Sequence, residues 1–352
     1  RMFFAGTQKK VVGVDIGSSS VKLIGLSRVK GGYHLESIGI APVPKDCIVD
    51  GEIYNIGGIS NVLRELVNAS KVKGASAFTG VFGSGVVVKR IKVPIMPKEE
   101  LEHHIKWEAE QYVPFNIDEV NLDYDVITPN YKKSGKMDLV IAAAKKDLVS
   151  SYSAVLYDSG LVAEGIDIGS FALYDMYKEN YGSTKEEANI LIDIGASRSL
   201  INVIEKNRCV FVKEIEYAGE YFTQKIQEQL GITFEEGEAL KVSSEDGTLP
   251  PEVEKILISE VKKLAVEVRK SLDLYLATAS ELPVGDISVV GGGVKLVGVT
   301  KVIESVTGIP VEIVNPMRNV AFNEKIFPTS YLSHIAPFFG VSVGLAIRGL
   351  RY

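Results

Sequence analysis

Val12-Gly13-Val14-Asp15-Ile16-Gly17-Ser18-Ser19-Ser20-Val21-Lys22-Leu23 and Leu191-Ile192-Asp193-Ile194-Gly195-Ala196-Ser197-Arg198-Ser199-Leu200-Ile201 follow one pattern. Each reads as a strand ending in Asp, then Ile-Gly, a small polar turn, and a second strand. Asp15 and Asp193 stand 178 positions apart, about half of the 352-residue chain, which points to an internal duplication. The chemistry of such a turn is specific. Glycine permits a tight bend and close approach of a ligand. Successive N–H groups and serine hydroxyls can cradle phosphate oxygens. A carboxylate at the strand end suits Mg²⁺, which keeps most of its waters and takes one or two carboxylates. One copy alone would read as an ordinary strand-ending turn; two copies at matching places in two halves would grip a polyphosphate from both sides. A third look-alike, Ile166-Asp167-Ile168-Gly169-Ser170, leads into a helix and reads as the crossover between the halves.

Outward from the first copy, strands are predicted at Val11–Asp15, Val21–Leu26 and Tyr33–Ile40, with Lys30-Gly31-Gly32 as a turn. A helix follows over Ile59–Asn68, then strands at Ala77–Phe82 and Val86–Val93. Pro97 opens a helix over Lys98–Tyr112, with Glu99 and Glu100 favoured in its first turn and Pro114 ending it. Strands at Asn121–Thr128 and Met137–Ala144, a helix over Lys146–Asp158 and a strand at Leu161–Ile168 complete the first half. The second half reads as strands at Ile190–Ile194, Ser199–Glu205 and Cys209–Tyr217, then helices at Gly219–Gln229, Phe234–Val242 and Glu252–Thr278. Strand Ile287–Val290 runs into Gly291-Gly292-Gly293, where bare backbone suits a base or ribose, and a glycine-spaced apolar helix closes the chain at Ala336–Leu350.

Composition sets the outer limits. Hydrophobic residues at 46% and charged residues at 24% allow a large core and exclude a disordered chain. A net charge of −6 gives no footing to a nucleic-acid partner. Cys47 and Cys209 are distant and in no CxxC pair, so both read as buried small hydrophobes of a reducing compartment. The longest apolar run, Ile335–Ile347, holds Pro337 and falls short of the roughly 18–20 residues of a membrane span. Met2-Phe3-Phe4 reads as part of a frayed terminus.

The order of two strand-Asp-Ile-Gly hairpins and a late Gly-Gly-Gly resembles the actin and sugar-kinase superfamily. The stretches Asp15–Lys22, Trp107-Glu108-Ala109-Glu110-Gln111-Tyr112-Val113-Pro114-Phe115 and Glu267-Val268-Arg269-Lys270-Ser271-Leu272-Asp273-Leu274-Tyr275 are similar to the PilM family of type IV pilus assembly proteins, relatives of the cell-division protein FtsA. The resemblance implies an α/β, actin-like (ribonuclease H-like) duplicated fold with an FtsA-type inserted subdomain. Its expected parts are 1–85 as the start of domain I, 86–160 as the insertion, 161–186 as the return and crossover, 187–330 as domain II, and 331–352 as a C-terminal helix returning to domain I.

The resemblance further implies ATP and Mg²⁺ as cofactors. Gly17, Ser18, Ser19, Ser20 and Lys22 would form the first phosphate site, and Gly195, Ala196 and Ser197 the second. Asp15 and Asp193 would stand at the metal, and Gly291, Gly292 and Gly293 at the adenosine. Glu267 and Lys270 fall where the superfamily contacts adenosine, and equally suit a solvated helix face. The implied partner is a PilN-type bitopic inner-membrane protein, bound through its N-terminal cytoplasmic tail. Other pilus-platform proteins and ATPases, and self-association, are further partners this reading allows. The implied location is cytoplasmic, peripheral at the inner membrane through those partners. Trp107, the one tryptophan, suits a core position better than a docking anchor, and the adjacent His103 and His104 suit the surface. The crossover offers Asp167, Ser170 and Asp175 but no Gln or Glu to orient a water, so the expectation is tight nucleotide binding with slow turnover at most, and no catalytic residue is assigned. The alternatives are a filament-forming cell-division protein like FtsA and a metabolite kinase of the same superfamily.

Overall fold

The computed structural model describes residues 10–128, 135–182, 186–243, 248–277 and 282–351. The Met2–Phe4 stretch, residues 129–134 between the strands expected at Asn121–Thr128 and Met137–Ala144, and Thr278 at the expected end of the long helix lie outside the described residues.

Strand β1 (Lys10–Ile16) is buried at every position after Lys10, as a strand covered on both faces requires. It pairs antiparallel with β2 (Ser20–Val29), and β2 with β3 (Gly32–Pro42). The short pair β4 (Ile48–Val49) and β5 (Glu52–Ile53) precedes α1 (Ile56–Ala69), which the Asn55 side chain caps by accepting from Gly58 N. That cap starts the helix three residues ahead of the periodicity. Strand β6 (Ser76–Val81) then lies parallel to β1.

The chain next leaves the sheet for a separate layer, β7 (Val86–Pro94), α2 (Lys98–Ala109), β8 (Val120–Thr128) and β9 (Lys136–Lys145), ordered β7-β9-β8 and closed over its own apolar core. Helix α3 (Lys146–Asp158), β10 (Val162–Ile168) and α4 (Gly169–Tyr181) return to the first half.

In the second half, β11 (Ala188–Ile194), β12 (Ser199–Glu205) and β13 (Arg208–Ile215) form antiparallel pairs. Lys206 and Asn207 join the last two with φ of 48° and 64°, the paired left-handed geometry of a two-residue hairpin. Helices α5 (Gly219–Leu230), α6 (Phe234–Val242) and α7 (Pro251–Leu276) cover this sheet. Strand β14 (Val284–Val290), α8 (Val299–Thr307) and β15 (Val311–Ile313) complete it. The chain is back on the first sheet at β16 (Val320–Ala321), parallel to β3 and ahead of the expected residue 331. It ends in α9 (Thr329–Ile335) and α10 (Gly340–Arg351).

The duplication is visible as topology. The first sheet runs β10-β6-β1-β2-β3-β16 and the second β13-β12-β11-β14-β15. Read from β3 and from β13, both run antiparallel, antiparallel, parallel, parallel. Helices α4 and α10 pack between the sheets. A Cβ on Gly344 would stand 1.7 Å from Ala172 O, and one on Gly13 2.0 Å from Ser342 O, so glycine spacing sets how closely α10 seats on α4 and β1.

Three expectations are corrected. Helix α2 ends at Ala109 rather than Tyr112, because Gln111 N and Tyr112 N turn to Glu108 O and Ala109 O in i→i−3 bonds before Pro114. The C-terminal helix is broken, with a 3₁₀ turn over Ala336–Phe339 around Pro337. The whole stretch Thr329–Arg351 is long and apolar enough to cross a membrane, yet 67% of its most apolar window is buried inside the protein. Trp107 is not a core residue. Helix α2 buries Leu101, Ile105 and Ala109, one stripe at four-residue spacing, which leaves Trp107 58% exposed. His103 is exposed and His104 lies beside Glu108 at 3.2 Å, while Cys47 and Cys209 are buried and free.

Candidate nucleotide cleft

The two hairpin turns meet. In the first, Gly17 N donates to Ser20 O at 3.1 Å; in the second, Gly195 N donates to Arg198 O at 3.0 Å, the same bond at the same place. Ser18 Oγ stands 3.1 Å from Ser197 Oγ and donates to Glu220 Oε1 at 3.3 Å. Helix α5 starts on the second turn, with Gly219 N and Glu220 N donating to Gly195 O and Ala196 O at 3.0 and 2.7 Å. Between the halves lies a cavity of about 260 Å³, near the lower end for a small-molecule site. Asp15, Gly17, Ser18, Ser19, Ser20, Lys22, Asp193, Gly195, Ala196, Ser197 and the three glycines Gly291, Gly292 and Gly293 all line it, so the fold brings together thirteen of the fifteen residues singled out.

The duplication is unequal in charge. Across the first hairpin Asp15 faces Lys22, whose Nζ lies 3.1 Å from Asp15 Oδ2. Across the second, Asp193 faces Leu200, which offers no cation. Burial, and then the nearby Asp15 carboxylate, push the Asp193 carboxyl up to about 7, against the pull of Lys22. Two carboxylates thus line the cleft, and the lysine is paired with Asp15. Among the described residues no group of three or more His, Cys, Asp or Glu side chains could hold a metal. This donor set fits Mg²⁺, which takes few carboxylates and completes its shell with water and phosphate oxygens. Glu220, opposite Ser18, is also raised, by burial first.

The glycine run lines the cleft with backbone, while its missing side chains make room for protein. Gly291 has φ +90°, and a Cβ there would lie 2.1 Å from Asp193 Oδ1. On Gly292 a Cβ would meet the Phe338 ring at 2.8 Å, and on Gly293 it would meet Ile194 Cγ2 at 2.1 Å. Glu267 and Lys270 are the two singled-out residues that the fold leaves off the lining; they pair with each other at 2.6 Å on the outside of α7.

Sequence reasoning missed Glu238 and Lys241 on α6, Arg198 in the second turn, and Lys295 with Phe338 at the far wall. Lys241 Nζ donates to Gly219 O, Thr223 Oγ1 and Glu238 Oε2 at 2.9, 2.8 and 2.6 Å, which pins the start of α5 under the second turn. Only a position four residues beyond a glycine in a short polar helix marked it, a weak signal. The crossover acids are engaged elsewhere: Arg348 pairs with Asp167 and Asp175 at 2.8 and 2.9 Å, and Arg351 with Asp175 and Glu179 at 2.5 and 2.8 Å. Burial nonetheless lifts the Asp167 carboxyl to about 6.

Comparison with known proteins agrees with this geometry. The family described as type IV pilus assembly protein PilM matches residues 13–350. A solved PilM–PilN type IV pilus biogenesis complex superposes with a TM-score of 0.86 at 25% identity, covering 98% of this chain and 99% of that one. The cell division protein FtsA of Enterococcus hirae is 21% identical, over 96% of this chain and 86% of the relative. MreB5 of Spiroplasma citri, solved bound to ADP, shares the fold with a TM-score of 0.52 at 13% identity, over 93% of this chain and 98% of that one. The fold is therefore actin-like, with the strand order of one half repeated in the other.

Proposed function

The chain belongs to the PilM family of type IV pilus assembly proteins, and from that premise we propose that it is a nucleotide-loaded adaptor of the pilus assembly platform. It holds ATP between its halves and binds the cytoplasmic N-terminal tail of a PilN-type bitopic protein. The observation that carries the reading is the pair of turns with one shared hydrogen bond, facing each other above Asp15 and Asp193. Gly17 to Ser20 and Gly195 to Ser197 supply N–H and hydroxyl donors to phosphate oxygens, and Lys22 adds a cation. Asp15 and Asp193 would hold Mg²⁺, which when bound would neutralise phosphate charge. The Gly291–Gly293 backbone would border the nucleoside.

Turnover is slow at most, because the acids of the crossover are committed to Arg348 and Arg351. The partner reading rests on similarity over nearly the full length to a PilM solved with PilN. The inserted layer also exposes Ile95, Trp107 and Tyr112 at 45%, 58% and 41%, apolar area that a partner segment would cover. Membrane association then comes through the partner, at the cytoplasmic face of the inner membrane.

Calorimetric titration of a PilN-type tail peptide into the Mg-ATP-loaded protein tests the proposal. A saturable one-to-one signal is expected. Absence of heat and of any change in Trp107 fluorescence, with nucleotide verified in place, would refute the adaptor reading and leave the fold standing.

A further inference from the structure

Arg198 closes the second turn with its backbone, but its side chain leaves that turn and crosses to the other half. Nη2 pairs with Asp50, and Nη1 with Glu214 Oε2 at 2.7 Å. Asp50 is the tip of the β4–β5 hairpin in the first half; Glu214 lies on β13 in the second. The other Glu214 oxygen accepts from Gly83 N at 3.1 Å, again across the halves. The first-half side of this contact is closely packed. Asp50, Gly51 and Gly83 have φ of 55°, 78° and 88°. A Cβ on Gly51 would lie 2.3 Å from Phe82 O, and one on Gly83 2.0 Å from Asp50 O, so the two loops interlock backbone to backbone. The buried Tyr152 hydroxyl donates to Gly51 O at 3.0 Å and fixes the tip from below.

We propose that Arg198 is a positioning residue that clasps the second phosphate turn to the first half and thereby sets the rate of nucleotide release. The proposal rests on the nucleotide reading above. Its physical basis is that the phosphate turn and the clasping guanidinium share one short segment, Gly195 to Arg198. The second turn cannot draw back from the first without parting Asp50 from Arg198 and Gly83 from Glu214. Among the described residues, other contacts between the halves include the hydroxyl pair Ser18–Ser197, the bond from Ser18 to Glu220, the bond from Gly291 N to Pro337 O at 2.9 Å and Lys45 over the Phe234 ring at 5.9 Å, while Arg90–Glu205 and Arg208–Asp125 join them through the inserted layer. Fork-shaped bonds from a guanidinium to two carboxylates are stronger and more directional than a hydroxyl pair or a distant ring contact. The clasp is also partly shielded, with side-chain exposures of 25% for Arg198, 42% for Asp50 and 23% for Glu214.

The test is release of a fluorescent ribose-labelled ATP from the full chain with Mg²⁺, followed by stopped flow. Arg198→Gln should release about tenfold faster, the equivalent of ~1.4 kcal/mol. Asp50→Asn should move the same way, and Arg198→Lys, which can reach one carboxylate, should recover part of the retention. The double variant Asp50→Asn/Arg198→Gln should be no faster than Arg198→Gln alone, because the shared contact is already gone; independent loosening of the fold would add instead. An unchanged release rate in Arg198→Gln, with tight binding in the parent, overturns the clasp. Failure of the parent to bind nucleotide at all overturns the nucleotide reading rather than the clasp. The contact is then judged by hydrogen exchange of the nucleotide-free protein: faster exchange at the Gly83 amide in Arg198→Gln upholds it, and equal exchange rejects it.

Discussion

At the scale of single residues, the two halves keep one backbone and divide its charge. Lys22 stands opposite Asp15, and Leu200 opposite Asp193, so one carboxylate has its counter-ion built in across the hairpin and the other does not. The cost should be measurable without ligand. The Asp193 carboxyl rises from an ordinary 3.8 to about 7 in the folded protein, so the fold holds its proton more tightly than the unfolded chain does. A group raised in this way contributes stability fully below its unfolded value and loses it as pH climbs through its folded value. Asp193→Asn, which cannot ionise, should therefore unfold at a higher temperature than the parent at pH 8 without metal. The difference should shrink toward pH 4. The same variant should bind Mg-nucleotide at least about tenfold more weakly, the scale on which metal sites respond to loss of supporting groups. Thermal melts at both pH values and a nucleotide titration check the two halves of this prediction. A variant both less stable at pH 8 and equally tight for nucleotide would remove Asp193 from the metal position.

At the scale of elements, most of the architecture was legible because it is written in local pattern. Strand-Asp-Ile-Gly repeats fix the hairpins, and Pro97 fixes the start of α2. The errors arise where a distant contact decides. Trp107 reads as core by its chemistry, yet the stripe Leu101, Ile105, Ala109 assigns that role to the neighbouring face. Glu267 and Lys270, offered both as adenosine contacts and as a solvated helix face, pair with each other outside the cavity, which α6 lines. The glycines of the last helix are spacing devices between elements. Gly344 packs on the Ala172 backbone, so no side-chain rotation can make room for a methyl group. Gly344→Ala should lower the free energy of unfolding by ~2 kcal/mol, in the range of core overpacking. Urea denaturation measures it, and an unchanged midpoint would show that α10 seats farther from α4 than described.

At the scale of the whole molecule, the inserted layer is fastened to the half it does not interrupt. Arg90 on β7 bonds Asp138 within the layer at 2.6 Å and Glu205 on β12 at 3.2 Å, and Tyr275 on α7 donates to the same Glu205 oxygen at 2.7 Å. Arg208 beside the β12–β13 turn pairs with Asp125 on β8, and Ile127 packs into the second core. Strand β12 begins at the second hairpin turn and ends at this anchor, so one strand connects the cleft to the layer that carries Trp107. Asp138 is fully buried, and without Arg90 its charge loses the ion pair that compensates it. Arg90→Ala should therefore cost ~3 kcal/mol, the low end for breaking one side of a buried pair. The loss should be local. Hydrogen exchange should quicken over β7–β9 and leave β1 and β11 protected. Uniform loss of protection across both sheets would instead mean that Arg90 supports the fold at large.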